Sequence, residues 1–178
     1  KTVAENKFCS YRNAIQEERK EIEKIGDFNT LVAQGREKIE NEEYQLADIY
    51  LSRALDQQPG NTEILNLLGF THFSLENFPE CEQFNRKALE IEPQNAYSLK
   101  GLGICLSQTG QLEEGIRLLK QSIAHASDSF MDPYNDLAAI LAVNDRKEEA
   151  VEILEQGRSK SPAFKEKSED LYRALTAS

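Results

Sequence analysis

Cysteine and histidine are the residues of this chain with the widest range of chemistry, since they bind metals, act as nucleophiles and transfer protons. The three cysteines, Cys9, Cys81 and Cys105, lie far apart, and no two of them form a CxxC pair. The two histidines, His72 and His125, stand alone, without the spacing of metal ligands. This pattern predicts three reduced thiols and no metal site.

One pair of glycines matches the beginning of a nucleotide-binding motif. Gly101 and Gly103 fit the first two glycines of GxGxxG, but Leu106 takes the place of the third. The motif also needs a loop after a strand, whereas this segment has a helical pattern. The chain has no Ser/His/Asp set that could be defended either. The sequence therefore predicts no catalytic residues and no cofactor, and a protein that is not an enzyme.

Charge and hydropathy narrow the choice of partner. The 178 residues carry a formal net charge of −10, and an acidic surface repels nucleic acid and anionic lipid. The longest apolar stretches, such as residues 137–143, are too short to span a bilayer. We therefore predict no nucleic-acid partner and no direct membrane insertion. Peripheral association through a protein partner remains open, and reduced thiols without a visible export signal predict a cytoplasmic location.

Small residues recur along the chain in three columns, each with steps of 34, 34 and 35 residues. The columns are Gly35, Gly69, Gly103 and Ala138, then Ala47, Cys81, Gly115 and Ala150, then Ala54, Ala88, Ser122 and Gly157. Two antiparallel helices approach to about 8–10 Å only where the side chains at the crossing are small. The first two columns therefore predict the crossing within a helical hairpin, and the third predicts the contact between one hairpin and the next. A proline follows three of the units, at Pro59, Pro93 and Pro162, with Ser127 in that place in the third.

This register resembles the tetratricopeptide repeat family, which has a small residue in the first helix, alanines early and late in the second, and a terminal proline. The resemblance covers residues 28–163 and is strongest over 62–95, which ends ALEIEPQN. The departures are the absence of Trp, Gln34 in place of an aliphatic residue, and Cys81 and Gly115 in place of Ala. The resemblance implies an all-α, right-handed superhelical solenoid of about four hairpins.

The predicted organisation has six parts: an N-terminal amphipathic helix over 1–26, repeats over 28–61, 62–95, 96–130 and 131–163, and a C-terminal capping helix over 164–178. The N-terminal helix has apolar residues at heptad spacing, namely Ala4, Phe8, Tyr11, Ile15, Ile22 and Ile25. Two interpretations follow. The helix packs on the first hairpin, or its apolar stripe is a seam for self-association into a homo-oligomer.

The first helices of such hairpins line a concave face. Their inward positions predict a protein-binding groove formed by Arg36, Asn66, Phe70, Phe73, Tyr97, Lys100, Ile104, Asn135 and Ala139. The apolar members offer surface for burial, the asparagines can bind a peptide backbone, and the two cations can pair with acidic ligand side chains. The alternative for Phe70 and Phe73 is that both rings belong to the core between helices. Repeats that clamp the carboxylate tails of chaperones are disfavoured, because Val32 and Phe70 replace the lysine and the asparagine of that clamp.

The predicted function is that of a non-enzymatic scaffold or adaptor that binds protein or peptide segments; under the second interpretation of the N-terminal helix, it also self-assembles through that helix. Small all-repeat bacterial scaffolds of the magnetosome-associated MamA kind are similar in size and architecture. The alternative is a small acidic secretion chaperone similar to the type III translocator chaperones, which carry three repeats rather than four.

Overall fold

A computed structural model describes residues 26–177 and, before them, Glu17, Lys20, Ile22 and Lys24. The described residues form helices α1 (Phe28–Glu40), α2 (Tyr44–Gln57), α3 (Thr62–Ser74), α4 (Phe78–Ile91), α5 (Ala96–Gln108), α6 (Leu112–His125), α7 (Asp132–Val143), α8 (Lys147–Lys160), α9 (Pro162–Lys167) and α10 (Glu169–Thr176). Residues 26–177 contain no strand, and the predicted all-α fold class is confirmed. The chain forms two compact units, Lys1–Phe84 and Asn85–Ser178, whose boundary falls within α4.

The first helices of the first three hairpins begin with the same cap. The side chains of Asp27, Asn61 and Asn95 each accept a hydrogen bond from the backbone N–H three residues later, at 2.7, 3.1 and 3.0 Å. Such a cap satisfies one of the N–H groups that the first turn of a helix leaves without a partner. Helix α7 lacks this cap, since Met131 precedes it and Pro133 lies in its first turn. The side-chain cap therefore recurs at the start of the first three hairpins. It is absent from the fourth, which follows a linker between α6 and α7 that has one extra residue.

The turns between the two helices of each hairpin share a left-handed backbone residue. Glu42, Glu76, Gly110 and Asp145 have φ angles of 60°, 58°, 89° and 59°, and they follow the same steps along the chain as the small residues. This conformation costs a residue with a side chain about 1–2 kcal/mol. Only the third of these turns uses the glycine that the conformation favours.

In the N-terminal unit, α1 packs on α2 through the first small-residue column. A Cβ atom on Gly35 would lie 2.6 Å from Cδ2 of Leu51, which is closer than side chains approach one another. Around this crossing, α1, α2 and α3 share a core that includes Leu31, Leu51 and Leu68. The column therefore lies at the crossing within the hairpin, as the spacing predicts.

Ile22 joins the core of the N-terminal unit with only 1% of its surface exposed. A side chain buried in this way is not available to a second chain, which favours packing on the first hairpin over the self-association seam. The other members of the predicted stripe, Ala4, Phe8, Tyr11, Ile15 and Ile25, lie outside the described residues.

In the C-terminal unit, α5 and α6 cross at Gly103 of the first small-residue column and Gly115 of the second. A Cβ atom on Gly115 would lie 2.5 Å from the carbonyl oxygen of Gly103 and 2.1 Å from Oγ of Ser107. The first of these atoms belongs to the backbone, which cannot rotate away as a side chain can. The third hairpin therefore depends on glycine at this crossing.

The third small column makes contacts on two sides. A Cβ atom on Gly157 would lie 2.6 Å from the ring of Phe164, which follows the hairpin, and 3.0 Å from the ring of Tyr134, in the first helix of the same hairpin. At the equivalent place in the preceding hairpin, Oγ of Ser122 donates to the carbonyl of Ala96, also in its own first helix, at 2.7 Å. The column thus packs within its own hairpin as well as against the next element.

The C-terminal segment differs from the single helix predicted over residues 164–176. Ser161 caps α9, which runs from Pro162 to Lys167, and Ser168 separates it from α10, which starts at Glu169. Ser168 is buried, with 1% of its surface exposed, so the break lies inside the packing rather than at the surface. Phe164 enters the core from α9, while Leu171 and Leu175 of α10 are partly buried against the same cluster.

Candidate protein-binding site

Four of the predicted groove residues lie on the first helices of the N-terminal unit. Arg36 is on α1, and Asn66, Phe70 and Phe73 are on α3. Phe70 is 48% exposed, whereas Asn66 and Phe73 are half-buried. The interpretation of both rings as inter-helix core therefore does not describe Phe70, which lies at the surface.

The two phenylalanines belong to a larger group of aromatic side chains. Phe70 meets Tyr44 edge-on with ring centroids 6.2 Å apart, and Phe73 meets Phe78 in the same way at 6.0 Å. These are favourable geometries for aromatic pairs. We call Tyr44, Phe70, Phe73 and Phe78 the aromatic row.

Tyr44 and Phe78 are not among the predicted groove residues. They are the first residues of α2 and α4, the second helices of their hairpins, and they lie 34 residues apart. The repeat period contained the signal that would have found them, but the predicted groove was restricted to first helices.

Arg36 is held within the N-terminal unit. Its guanidinium donates to the carboxylate of Glu63 on α3, and both side chains are about half exposed. The sequence predicts that Arg36 pairs with an acidic ligand, whereas the structure gives it a partner on the neighbouring first helix. This face of the N-terminal unit therefore offers apolar surface rather than an unpaired cation.

The predicted groove residues of the C-terminal unit meet the chain's own third linker. Tyr97 is 58% exposed, and its ring stacks on that of Phe130 with centroids 4.0 Å apart. Nζ of Lys100 lies 5.6 Å from the centroid of the Phe130 ring, within the range of a cation–π contact. Phe130 is 7% exposed and lies between α6 and α7, so the linker covers part of the first-helix surface.

Two ion pairs adjoin this linker. Nζ of Lys100 lies 3.5 Å from Oδ2 of Asp136, and Nζ of Lys167 donates to Oδ1 of Asp132 at 2.8 Å. Burial raises the pKa of Asp136 above its usual range, and the nearby Lys100 offsets this only in part. The hydrogen bond from Lys167 lowers the pKa of Asp132. Lys100, like Arg36, therefore has a partner within its own unit.

The remaining predicted groove residues are half-buried. Ile104 packs against the core that α6, α7 and α8 share, and Asn135 and Ala139 lie on α7. The most exposed apolar side chain on α7 is Val143, which is 81% exposed at the end of the helix. The nine predicted residues thus do not form a single kind of surface.

His72 packs between helices α2, α3 and α4. It is 7% exposed, its ring stacks on Phe84 with centroids 5.2 Å apart, and Nε2 lies 3.2 Å from Oδ1 of Asp48. A neighbouring carboxylate and a stacked ring give the buried imidazole a polar and an apolar contact.

The other residues with reactive side chains show no shared site. Cys81 and Cys105 are buried and outside any disulfide, and Cys9 precedes the described residues. Across the part of the chain that the structure describes, no group of three His, Cys, Asp or Glu side chains is arranged to hold a metal ion. Within the same part, none of the helices has both the length and the apolar character needed to cross a membrane.

The hairpins and their regularly placed small residues define an all-helical repeat protein with side chains displayed on its first helices. The tetratricopeptide repeat family matches residues 62–95 and, in a second match, residues 84–117. Residues 62–117 of the chain therefore carry tetratricopeptide repeats.

Solved structures of tetratricopeptide repeat proteins are similar to the chain in fold. A thermophilic TPR protein of Thermus thermophilus superimposes with a TM-score of 0.71 at 16% identity, covering 84% of each chain. MamA from Desulfovibrio magneticus RS-1, from residue 41 to its end, gives a TM-score of 0.66 at 15% identity, covering 88% of this chain and 91% of that one. At these identities the likeness is one of fold.

Two curated proteins match part of the chain. The mouse (Mus musculus) interferon-induced protein with tetratricopeptide repeats 3 is 29% identical over 112 residues, which are 61% of this chain. Human (Homo sapiens) trafficking protein particle complex subunit 12 is 27% identical over 73 residues, which are 41% of this chain. The matched segments span 27% and 10% of the length of those two proteins.

Proposed function

We propose that this chain is a non-enzymatic protein-binding scaffold that holds a partner segment on the first-helix surface of its N-terminal unit. Tetratricopeptide repeats are a typical protein-interaction fold rather than a catalytic one. The exposure of Phe70 carries the proposal, because a large apolar side chain on α3 leaves 48% of its surface uncovered.

The surroundings of Phe70 suit a peptide. The ring of Tyr44 meets Phe70 edge-on, and Phe73 lies one turn further along α3 with Phe78 against it. A segment bound here would bury an apolar anchor residue against these rings.

The C-terminal unit supports the proposal less directly. Phe130 already covers one side of Tyr97, and Lys100 faces Asp136. A ligand on this surface would compete with contacts that the chain makes to itself. We therefore assign the main binding energy to the N-terminal unit.

Self-association through the first 25 residues is not part of the proposal. Ile22, the described member of the predicted stripe, is buried in the core of the N-terminal unit. We infer that a bound partner is a different protein rather than a second copy joined through this stripe.

The proposal can be tested by selecting peptides on the protein. A phage-displayed library of random dodecapeptides is panned on the full chain, and enriched peptides are then measured against a Phe70→Asp variant. We expect enriched peptides to bind the wild-type protein and to lose nearly all binding to the variant, since the variant places a charge in the apolar contact. Circular dichroism shows whether the variant is folded.

Two results would overturn the proposal. One is that no peptide is enriched over an unrelated helical repeat protein. The other is that the enriched peptides bind the Phe70→Asp variant as well as they bind the wild type.

A further inference from the structure

We propose that the segment bound at the aromatic row is positively charged, with an apolar anchor for Phe70 and lysine or arginine residues next to it. This inference rests on the proposed function and adds the chemistry of the partner to it.

Carboxylates border the aromatic row in both turns of the N-terminal unit. Tyr44 follows Glu40, the last residue of α1, and the turn residues Glu42 and Glu43. Phe78 lies between Glu76 and Glu80 in the chain. All of these carboxylates except that of Glu43 belong to exposed residues. The rings of Tyr44 and Phe78 contact Phe70 and Phe73, so the acidic turns lie at the ends of the aromatic contacts.

Both cations of α1 have partners. Nζ of Lys38 lies 2.7 Å from Glu43, and the guanidinium of Arg36 pairs with Glu63. Residues 38–44 and 76–80 thus contain five glutamates and one lysine. An acidic ligand would meet repulsion here, whereas a basic ligand would find complementary charge beside the apolar anchor site.

The aromatic rings themselves favour a cation. The face of a tyrosine or phenylalanine ring attracts an ammonium or guanidinium group, and this attraction grows when the site is shielded from water. A partner segment lying over Phe70 would provide such shielding. The rings and the carboxylates thus select for the same sign of charge.

The charged border is a property of the N-terminal unit rather than of the repeat. In the third hairpin the turn residues are Thr109, Gly110 and Gln111, which carry no charge, and Leu112 replaces the aromatic residue at the start of the second helix. In the fourth hairpin the equivalent helix begins with Lys147. The aromatic row and its carboxylates therefore occur together, which suggests one recognition surface.

The test uses a synthetic copy of a peptide selected as described above. Its affinity is measured by isothermal titration calorimetry for the wild type and for a variant with Glu40→Gln, Glu42→Gln and Glu76→Gln. These substitutions remove charge but keep the shape of each side chain, including that of Glu42 and Glu76 in their left-handed conformation. A matched control carries Glu90→Gln, Glu148→Gln and Glu152→Gln, three exposed residues on second helices with the same change in net charge.

We expect the selected peptides to be enriched in lysine and arginine, and the first variant to bind about tenfold more weakly. The control variant should bind within about twofold of the wild type. Raising the salt concentration should weaken peptide binding to the wild type more than binding to the first variant, because the variant has fewer charges at the site for salt to screen.

The outcomes separate this inference from the proposed function. Peptides that depend on Phe70 but are neutral or acidic, or that bind both triple variants equally, would overturn the positive-charge inference and leave the proposed function standing. Peptides that do not depend on Phe70 would overturn the proposed function itself.

Discussion

Phe70 provides the most direct quantitative test of where this protein binds its partners. About half of its surface is exposed, and a whole aromatic side chain buries about 150–250 Å². A ligand that covers the exposed half would thus bury about 100 Å², which at about 25 cal/mol per Å² is about 2.5 kcal/mol. Phe70→Ala should therefore weaken peptide binding by up to about 60-fold, since about 1.4 kcal/mol corresponds to a factor of ten.

The assay is a calorimetric titration of a selected peptide into the wild type, the Phe70→Ala variant and a matched control. Ile91→Ala is that control, because Ile91 is 49% exposed but lies at the end of α4, a second helix. It removes a similar area of exposed apolar surface away from the proposed site. We expect the control to change the affinity by less than about twofold.

Thermal unfolding accompanies the titration, because Phe70 also contacts Tyr44. Truncating a half-buried ring should cost about 1–2 kcal/mol of stability, which leaves the unit folded. Equal losses of affinity in the two variants would refute the reasoning, since the effect would then come from exposed apolar area in general. Unchanged affinity in the Phe70→Ala variant would remove Phe70 from the site.

Three further predictions concern stability, each measured by urea unfolding. The Gly115→Ala variant should lose about 2–3 kcal/mol of stability, because the new Cβ atom would meet the backbone of α5. The Gly26→Ala variant should lose far less, because nothing lies within 4 Å of that position. Equal losses would contradict a close crossing of α5 and α6 at Gly115. The pKa of Asp136 is raised, so its carboxyl stabilises the fold below its ordinary pKa and loses that contribution as the pH rises through the native pKa. The stability of the wild type relative to the Asp136→Asn variant should therefore fall as the pH rises from about 3 to about 7. The pKa of Asp132 is lowered, so the stability of the wild type relative to the Asp132→Asn variant should rise over the same range. Trends of the same sign in the two comparisons would contradict the opposite pKa shifts of the two carboxyls. Asp145→Gly should gain about 0.5–1 kcal/mol by relieving a left-handed residue, and a loss would show that the side chain of Asp145 stabilises its turn.

The hairpins could be predicted from sequence because their cause is local and repeated. A close helix crossing demands a small residue, so the demand reappears in the chain wherever the crossing does. Gly35 against Leu51 and Gly115 against Gly103 are direct consequences of this requirement. The left-handed turn residues follow the same period, but glutamate or aspartate at three of the four positions hides them from a search for glycine.

The surfaces were harder to predict because they depend on where single side chains point. Phe70 and Lys100 were predicted as groove residues by the same rule, their position along a first helix. Phe70 is exposed, whereas Lys100 faces Asp136. Phe130 reaches Tyr97 from a linker that differs from the others by one residue, and no periodic rule describes such a departure. The break between α9 and α10 at Ser168 is equally hard to predict, because no proline or glycine marks it in the sequence.

The contrast between the two units indicates how a repeated backbone acquires specificity. Each hairpin supplies the same framework of crossings and left-handed turns, which leaves the side chains at first-helix surfaces and helix starts free to vary. In the N-terminal unit these positions hold aromatic rings beside carboxylates, and in the C-terminal unit they hold contacts that the chain makes to itself. If binding follows this difference, exchanging Tyr44 and Phe78 for leucine, as found at Leu112 in the third hairpin, should weaken the N-terminal site while leaving its helices intact.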